Sequence, residues 1–433
     1  MRAVVADLST RRYLFTAAAQ KLPRGAGKGA GWGPGGLLSL REDVATPTLP
    51  NAPGWVRLRP ELAGICGSDL GLAHAKSSLV LSAFYGARHQ IPGHEVLAVV
   101  DQVGSGVASV SEGDRIVLDP VLSCVHRGFE PCRSCRDGFP YVCERFDEPG
   151  ATGCHSATQG FDATLGGGWG EYVVAHETQL HRVDGIPSTR AVLAEPASIA
   201  LHAALHWQRR GDRVVVIGPG TIGQLVIAAL RMLHPDLDIV AVGVDRFSLD
   251  KASEAGASRT LSSGPGVVEE LSRADGGRVI RPRMTPTPIL EQGVDAVFDC
   301  VATPDTLDLA LHILRPTGML VLVGAAGKQP VDWSLVWNRQ ITVQGTINFG
   351  PEPRLGGRHT MAQVVEWMAA PEFRIDGVVT HAFGLDDWRQ ALETAATGPR
   401  ASCVKAVLQP NTDLAPVQGR TARAGSVDRA DKA

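Results

Sequence analysis

The chain has 433 residues, of which 44% are hydrophobic and 20% are charged, and its formal net charge is −3. This length accommodates two domains and a sizeable core. The composition is ordinary for a soluble globular protein, and the small negative charge gives no general attraction to nucleic acid or to an anionic membrane.

The amino terminus, MRAVVADLST, lacks the apolar core of a secretory signal. No apolar run approaches the roughly 20 residues of a membrane-spanning helix. We therefore expect a cytoplasmic protein whose eight cysteines stay reduced. In that setting clustered cysteines indicate metal binding or catalysis more than disulfides.

The first third of the chain contains short β-like runs broken by Gly and Pro, such as GWVRLRPELAG, HEVLAVVDQVG and GDRIVLDP. Residues 25–36 (GAGKGAGWGPGG) form a glycine-rich stretch that predicts a loop. We do not expect it to bind phosphate. No strand precedes it, and Gly-Lys-Gly lacks the Ser or Thr that a P-loop places on magnesium.

Three short segments carry side chains suited to a metal. They are AGICGSDLGL with Cys66, Ser68 and Asp69, IPGHEVLAVV with His94 and Glu95, and LAEPASIALHA with Glu195. Zinc binds thiolate, imidazole and carboxylate ligands, and a catalytic site keeps one position open. Each residue alone also has an ordinary interpretation: a core cysteine beside a turn, a capped loop histidine, a solvated acid, or a first-turn acid favoured by the helix dipole.

The segment CVHRGFEPCRSCRDGFPYVC contains four cysteines, namely Cys124, Cys132, Cys135 and Cys143. A Cys-x2-Cys pair with two further thiols in reach indicates a closed tetrahedral zinc site, which we expect in a lobe at about residues 120–150. A zinc-ribbon module for nucleic acid would contain the same pattern. That interpretation does not account for the other motifs. It also calls for a basic face bearing aromatic residues, and the aromatic content is only 5%.

From about residue 193, strand-like and helix-like segments alternate, which predicts a parallel sheet covered on both faces. Within GDRVVVIGPGTIGQLVIAALRML, a G-x-G-x-x-G motif lies between an apolar strand and a helix. Such glycines allow a sharp turn, close approach of the pyrophosphate and tight helix packing, while the helix start binds phosphate. The candidate dinucleotide-binding residues are Gly218, Gly220, Thr221, Ile222 and Gly223.

The next predicted strand, DIVAVGVD, ends in Asp245, which lies 22 residues after Gly223. An acid at this place accepts hydrogen bonds from the ribose hydroxyls and repels a 2′-phosphate, so it favours NAD over NADP. Arg246 follows directly and is able to pair with such a phosphate.

The chain resembles the zinc-dependent medium-chain dehydrogenase/reductase family, especially its polyol, glucose and threonine dehydrogenases. The resemblance lies in the order of the motifs, which are GICGSD, GHE, the cysteine segment, and EP before a strand–GxGxxG–helix unit. The resemblance extends from about Val56 to Leu408. It implies an α/β fold in which a discontinuous, β-rich GroES-like catalytic domain (1–192 and 348–410) is interrupted by a Rossmann domain (193–347). Residues 411–433 are polar and rich in small side chains, which predicts a disordered tail.

The resemblance also assigns roles to the candidate ligands. Cys66, His94 and Glu195 take the positions of catalytic zinc ligands, and Glu95 that of an acid that binds the metal or lies beside it. The family's structural lobe usually has three of its cysteines spaced by two residues, and its first position falls here on Phe129. Either the loop folds back so that the upstream cysteine of the lobe binds metal, which we favour, or the site has three thiolates.

Two further residues match motif positions with a chemical role. Ser68 matches the hydroxyl that contacts the reacting oxygen, and Asp69 matches the acid that orients the ligand histidine. The position where many members have a proton-relaying histidine is Gly71. The proton path beyond Ser68 therefore stays open, with His74, Lys76 and bulk water as candidates.

The resemblance implies a zinc- and NAD(P)-dependent oxidoreductase that transfers hydride between an alcohol and the nucleotide, as a homodimer or homotetramer. The alternatives are a zinc-free reductase of enones or quinones and a catalytically silent nucleotide-binding protein. Phe84 and Tyr85, in the segment between Ser68 and His94, and Trp169 suggest an alcohol larger than ethanol.

Overall fold

The computed structural model describes residues 1–22, 29–77, 88–275 and 277–414, except for the side chain of residue 275. Residues 25–28 of the predicted glycine loop, Phe84, Tyr85 and the tail from residue 415 onward lie outside the described residues. Within the described ranges, no helix combines the length and the apolar character needed to cross a lipid bilayer.

The N-terminal part of the chain forms mostly short strands. Its elements are β1 (Ala3–Asp7), α1 (Thr10–Ala19), β2 (Leu38–Arg41), β3 (Trp55–Gly64), α2 (Gly67–Ala73), β4 (His89–Gln90), β5 (Val96–Val103), β6 (Arg115–Leu118), α3 (Arg133–Arg136), β7 (Val173–His176), β8 (Leu180–Arg182) and α4 (Ser188–Ala191). Strand β1 pairs with β2 and β4 in a small separate sheet. Helix α1 was not predicted, since only Thr16 of its ten residues is buried and no apolar stripe marks it.

The middle of the chain alternates strands and helices. Its elements are α5 (Ala194–His206), β9 (Arg213–Ile217), α6 (Thr221–Leu233), β10 (Asp238–Gly243), α7 (Arg246–Ala255), β11 (Arg259–Ser262), α8 (Val267–Asp275), β12 (Val279–Ile280), β13 (Ile289–Leu290), β14 (Val294–Asp299), α9 (Pro304–Ile313), β15 (Leu314–Leu322), α10 (Ser334–Arg339) and β16 (Thr342–Gly345). Six parallel strands run in the order β11-β10-β9-β14-β15-β16. This order confirms the predicted doubly wound sheet.

The C-terminal part returns to the first half of the molecule. Its elements are β17 (Pro351–Glu352), β18 (Arg358–His359), α11 (Thr360–Met368), β19 (Val379–Gly384), α12 (Trp388–Thr397) and β20 (Lys405–Gln409). A seven-stranded sheet has the order β19-β20-β3-β5-β6-β8, and β7 pairs with β3. Because β20 lies against β3, strands from both ends of the chain share one sheet, which confirms the predicted discontinuous arrangement.

Helix α5 joins the two sheets. One hydrophobic core contains Leu62 and Leu97 of the seven-stranded sheet, Leu201 of α5, and Val214 and Val216 of β9. These side chains are all fully buried. Packing in this shared core fixes the position of α5 relative to both sheets.

The first residues of the predicted tail are attached to the seven-stranded sheet. The amide of Asn411 donates to the carbonyl oxygens of Pro60 and Glu171, each at 3.0 Å. Asp413 forms an ion pair with Arg59 at 2.7 Å. Residues 411–414 are therefore anchored, contrary to a tail disordered from residue 411.

Candidate active site

Strand pairing brings the predicted metal ligands together. Strand β3 ends at Gly64, β5 begins at Val96, and the backbone N–H of Gly64 donates to the carbonyl of Glu95 at 2.8 Å. Cys66 follows the end of β3, and His94 precedes the start of β5. Among the described residues, the donor atoms of Cys66, His94 and Glu95 form a group in which all lie within 4.8 Å of one another.

Asp69 lies between two of these ligands. One of its oxygens accepts the backbone N–H of Cys66 at 2.9 Å, and the other lies 3.7 Å from Nδ1 of His94. The carboxylate is fully buried, and burial raises its pKa. Burial alone would lower the pKa of His94, but the negative charges of Asp69 and Cys66 raise it well above its usual value. The Asp69 carboxylate therefore lies beside the His94 ring without a direct hydrogen bond to it, and its predicted role of orienting that ring stays a prediction.

Lys405 is a site residue that the sequence analysis missed. Its Nζ forms an ion pair with the carboxylate of Glu95 and donates to the carbonyl of Ile65 at 3.1 Å. Only 3% of the lysine side chain and 1% of the glutamate side chain are exposed. Burial opposes the charged amine, but Glu95 and Cys66 raise the pKa of Lys405 overall. The signal available in the sequence was a lone lysine inside the apolar strand VKAVL.

Glycine at position 64 makes room for this ion pair. A Cβ there would lie 1.8 Å from Oε2 of Glu95 and 2.9 Å from Cε of Lys405. Real Cβ atoms do not approach other heavy atoms so closely, so any larger residue would displace the pair. The first glycine of the GICGSD motif therefore has a specific packing role.

Glu195 lies on the first turn of α5 and is buried. It is outside the group of three donors that lie within 4.8 Å of one another. Burial, together with the charge of Glu95, raises its pKa to about 8. The charge of Glu195 in turn raises the pKa of His94, so the two side chains are electrostatically coupled. The region thus contains three buried acids, Asp69, Glu95 and Glu195, beside one thiol and one imidazole.

Two aromatic residues lie beside the candidate ligands. Trp169 is fully buried, and its ring N–H donates to the carbonyl of Gly64 at 3.3 Å. Trp169 therefore supports the end of β3. Phe161, which was not predicted, lies 5.5 Å from the His94 ring between centroids.

The glycine motif forms the sharp turn that a dinucleotide requires. Gly218 has a φ of +81°, and a Cβ on it would lie 2.2 Å from the side chain of Val301. A Cβ on Gly223 would lie 2.3 Å from the carbonyl oxygen of Gly218, so the helix packs closely on the turn. Gly220 faces open space, since no described atom lies within 4 Å of the position of its Cβ. That space suits a pyrophosphate at the start of α6.

The other predicted nucleotide residues have additional roles. The hydroxyl of Thr221 donates to the carbonyl of Val404 at 2.8 Å and so joins α6 to the seven-stranded sheet. Ile222 packs against the core shared by the two sheets. Asp245 caps α7 by accepting the backbone N–H of Ser248 at 2.8 Å. The strand before it already ends at Gly243.

Arg246 is the first residue of α7. Its side chain is 88% exposed and forms an ion pair with Asp250, one turn along the same helix, at 2.7 Å. An exposed pair of this kind is weak and easily rearranged. The guanidinium is therefore free to turn toward another anion.

The Sγ atoms of the four lobe cysteines all lie within 4.8 Å of one another. Cys124 Sγ is 3.5 Å from Cys143 Sγ and accepts the backbone N–H of Cys132 at 3.3 Å. The chain thus folds back to bring Cys124 to the other three, which is the arrangement we favoured. Burial opposes ionisation of Cys132, but the backbone N–H groups of Cys135 and Glu144 lower its pKa to about 7.

Positively charged side chains surround the lobe. Arg127 is fully buried, and its guanidinium donates to the carbonyl oxygens of Leu122, Ser123 and Phe146 at 3.0, 3.1 and 2.7 Å. The guanidinium of Arg145 lies 3.7 Å from the ring centroid of Phe129. Both cations are suited to balance a cluster of thiolates.

Cys154 lies apart from both donor groups. It is fully buried, and burial raises the pKa of its thiol to about 12. A thiol that stays protonated neither binds metal nor reacts readily. We therefore interpret Cys154 as a core residue.

Comparison with known proteins identifies the family. Residues 52–185 match the alcohol dehydrogenase GroES-like domain, and residues 221–370 match the zinc-binding dehydrogenase domain. The chain belongs to the zinc-dependent medium-chain dehydrogenase/reductase family. This confirms the resemblance seen in the motifs and the fold class, a GroES-like domain with an inserted Rossmann domain.

Several members of this family are similar along most of their length. L-idonate 5-dehydrogenase of Vitis vinifera is 27% identical over 380 residues, which cover 84% of this chain and 91% of the relative. D-arabinitol dehydrogenase 1 of Uromyces fabae is 25% identical over 360 residues, covering 82% and 90%. The crystal structure of 2R,3R-butanediol dehydrogenase from Bacillus subtilis is 26% identical, with a TM-score of 0.66 and coverage of 86% and 97%.

Proposed function

We propose that this medium-chain dehydrogenase oxidises an alcohol with NAD, using zinc. The alcohol carbon gives a hydride to the nicotinamide ring, the hydroxyl proton leaves to solvent, and a ketone or aldehyde is formed. The observation that carries this proposal is the group formed by half-buried Cys66 and buried His94 and Glu95, whose donor atoms lie within 4.8 Å of one another. The names of the relatives favour secondary alcohols and polyols, and sugars and amino alcohols belong to the same substrate range.

The donors fit a zinc ion, which prefers thiolate, imidazole and carboxylate ligands. We propose Cys66, His94 and Glu195 as the ligands. Glu95 is then held beside the metal by its ion pair with Lys405. When bound, zinc supplies a Lewis acid that stabilises negative charge on the alcohol oxygen.

Ser68 is proposed as the group that takes the substrate proton. It lies on the first turn of α2, and its buried Oγ has no hydrogen-bond partner among the described residues. A buried hydroxyl without a partner costs about 1–3 kcal/mol, which a substrate hydroxyl would recover. Asp69 contributes by holding the backbone at Cys66 and the ring of His94.

NAD is proposed as the preferred nucleotide because Asp245 places a negative charge beyond the second strand of the parallel sheet. The variant Asp245→Asn keeps an N-cap acceptor for α7 but removes the charge. We expect its KM for NAD to rise severalfold and its KM for NADP to fall. Glu254→Gln, an exposed change on the same helix, is the matched control. An unchanged ratio of the two KM values in Asp245→Asn would show that this carboxylate does not read the ribose.

We propose a second, structural zinc ion on Cys124, Cys132, Cys135 and Cys143, because a compact set of four thiols is a closed tetrahedral site. Metal analysis of the purified protein should then return close to two zinc ions per chain. A value near one would indicate that the lobe binds no zinc. A value near zero would also contradict the catalytic assignment.

We also propose a homo-oligomer in which edge strand β16 lies at the contact. Trp337 and Ile347, which flank this strand, are 82% and 62% exposed among the described residues. Exposed apolar side chains beside an unpaired strand edge favour pairing with a second copy. Sedimentation velocity of the purified chain and of Trp337→Lys tests this, and a monomeric wild-type protein contradicts it.

The central experiment is a substrate screen followed by NADH absorbance. Secondary alcohols, polyols, aldoses and amino alcohols are each tested with NAD and with NADP, before and after removal of metal by a chelator. We expect turnover of at least one class, loss of turnover without metal and recovery when zinc is restored. Besides the nucleotide and zinc, this activity requires only a small-molecule alcohol as partner.

Two alternative results have specific meanings. Reduction of enones or quinones that persists after metal removal indicates a zinc-free reductase. A change in NADH fluorescence on binding, with no alcohol oxidised, indicates a protein that binds nucleotide without catalysis. The buried donor group argues against both, since neither function needs a thiol, an imidazole and two acids at one place.

A further inference from the structure

We propose that an N-terminal segment, residues 8–22 and 29–38, acts as a clamp that positions the catalytic helix α2. The inference rests on the proposed function, because α2 carries Ser68 and Asp69 and begins at Cys66. The clamp contains α1 and the turn that follows the undescribed residues 23–28. Three separate contacts join it to the carboxyl end of α2.

The first contact is a close backbone approach at Gly31. A Cβ on Gly31 would lie 1.7 Å from the carbonyl oxygen of Ala73 and 2.7 Å from its carbonyl carbon. Ala73 is the last residue of α2, and its backbone cannot turn aside as a flexible side chain could. The turn therefore rests directly against the end of the helix.

The second contact is made by the Trp32 ring. Trp32 is 7% exposed, and its ring meets the ring of His74 edge to face, with centroids 5.1 Å apart. The turn that presents Trp32 is itself fixed from two sides. Arg389 of α12 donates to the carbonyl of Trp32 at 2.9 Å, and the N–H of Leu38 donates to the carbonyl of Gly31 at 2.8 Å.

The third contact comes from α1. The hydroxyl of Tyr13 lies 3.4 Å from the carbonyl oxygen of Ala75, a long hydrogen bond. At the start of the clamp, the N–H of Leu8 donates to the carbonyl of Arg88 at 2.8 Å, and Asp7 pairs with Arg88 at 3.4 Å. The clamp thus holds the chain just after α2 and again just before β4.

A helix as short as α2 needs such support. It has seven residues, and an isolated helix of this length is unstable in water. Its amino end is fixed by the hydrogen bond between the Cys66 N–H and Asp69. Its carboxyl end is fixed by the clamp, so the direction of the Ser68 hydroxyl depends on both ends.

The consequence is a specific effect on catalysis. An error of about 1 Å in the placement of a reacting group can cost roughly 100-fold in rate. Loosening the clamp should therefore lower kcat for alcohol oxidation while nucleotide binding, which uses the other sheet, is unchanged. In this view Gly31 and Trp32 are positioning residues, because they act through α2.

The variant Gly31→Ala tests the first contact with a single added methyl group. Gly31 does not have a positive φ, so alanine is strained only by the collision with Ala73. We expect kcat to fall about 10- to 100-fold, with bound zinc and the Kd for NADH unchanged. Leu14→Ala, at a position of α1 that is 61% exposed, is the matched control and should keep wild-type kinetics.

Two substitutions of Trp32 test the second contact and its rescue. Trp32→Ala should lower kcat in the same way as Gly31→Ala, whereas Trp32→Phe, which keeps an aromatic ring against His74, should recover most of it. If the Gly31 variant is insoluble, the comparison of the two Trp32 variants still tests whether the clamp positions α2. Equal kcat in both Trp32 variants and the wild type would overturn the proposal.

Hydrogen exchange gives a readout that does not need a substrate. The amides of Leu70, His74 and Ala75 donate within α2 and its last turn. They should exchange faster in Gly31→Ala and Trp32→Ala than in the wild type or in Leu14→Ala. A wild type that oxidises no alcohol defeats the proposed function but leaves this test intact. Unchanged exchange in both variants would defeat the clamp.

Discussion

The two groups of candidate metal ligands are built in opposite ways. The catalytic group brings Cys66, His94 and Glu95 together at the ends of β3 and β5, and the proposed ligand Glu195 comes from α5. The lobe takes all four thiols from residues 124–143, a single stretch without a strand among its described elements. Buried charges, Asp69 and Lys405, surround the first group, whereas backbone N–H groups contact the sulfurs of the second.

This difference indicates different roles for the two proposed metal sites. The catalytic donors are held by two paired strands and a packed helix, so the protein positions them before any metal binds. The lobe contains the four-residue helix α3 and short turns, so we expect its shape to depend on a metal ion that joins the thiols. Closed four-cysteine sites contribute directly to folding, whereas catalytic sites keep a position open for substrate. We therefore expect substitutions of the catalytic donors to abolish activity and substitutions of the lobe cysteines to lower stability.

The largest expected effect is on the catalytic side. Cys66→Ser removes the thiolate, and kcat/KM should fall at least about 1000-fold, which corresponds to several kcal/mol of lost Lewis-acid stabilisation. NADH binding and Tm should change little, because the strands still hold the site. Stopped-flow or steady-state kinetics and NADH fluorescence check this. Retained turnover in Cys66→Ser would exclude the proposed metal mechanism.

An intermediate effect is expected at Lys405. Lys405→Met leaves the buried Glu95 without its cation, and substitutions of residues that support metal ligands typically cost 10- to 100-fold in activity or metal affinity. Lys405→Arg keeps the charge and should retain more activity. The measurements are kcat/KM and the zinc content after dialysis. Wild-type values in Lys405→Met would mean that Glu95 needs no counter-charge and that strands alone define the site.

The smallest effect on activity is expected in the lobe. Cys124→Ala should lower the zinc content from near two to near one per chain and lower Tm, while kcat/KM at low temperature falls less than about threefold. Cys154→Ala, which removes a thiol outside both groups, should keep both metals. Zinc content near two in Cys124→Ala would show that three thiols suffice. A collapse of kcat/KM in this variant would show that the lobe also supports catalysis.

The sequence was most informative where a short motif carries the chemistry. Local patterns whose spacing has a physical reason contain Cys66 and Asp69, His94, and the glycines of the nucleotide turn. The structure brings the first three side chains together and places the glycines in a sharp turn before a helix. The position of Cys124 could not be decided from spacing, because the chain returns to Cys143 through turns that follow no regular period.

Other features had no local signal. Lys405 meets Glu95 only because β20 pairs with β3, and long-range strand pairing cannot be read from either segment alone. Helix α1 buries one polar residue and lies beside the glycine-rich stretch, so neither apolar period nor composition marks it. The aromatic residues show the same limit, since Trp169 supports a strand end while Phe161 lies against His94.

The pairing of β20 with β3 also bears on how the chain is made. The ribosome releases β3, β5 and every strand of the parallel sheet before Lys405 emerges. Until then Glu95 has no ammonium group beside it, and the edge of β3 that β20 later covers is open. We therefore expect a nascent chain to become competent to bind nucleotide before its metal pocket is finished.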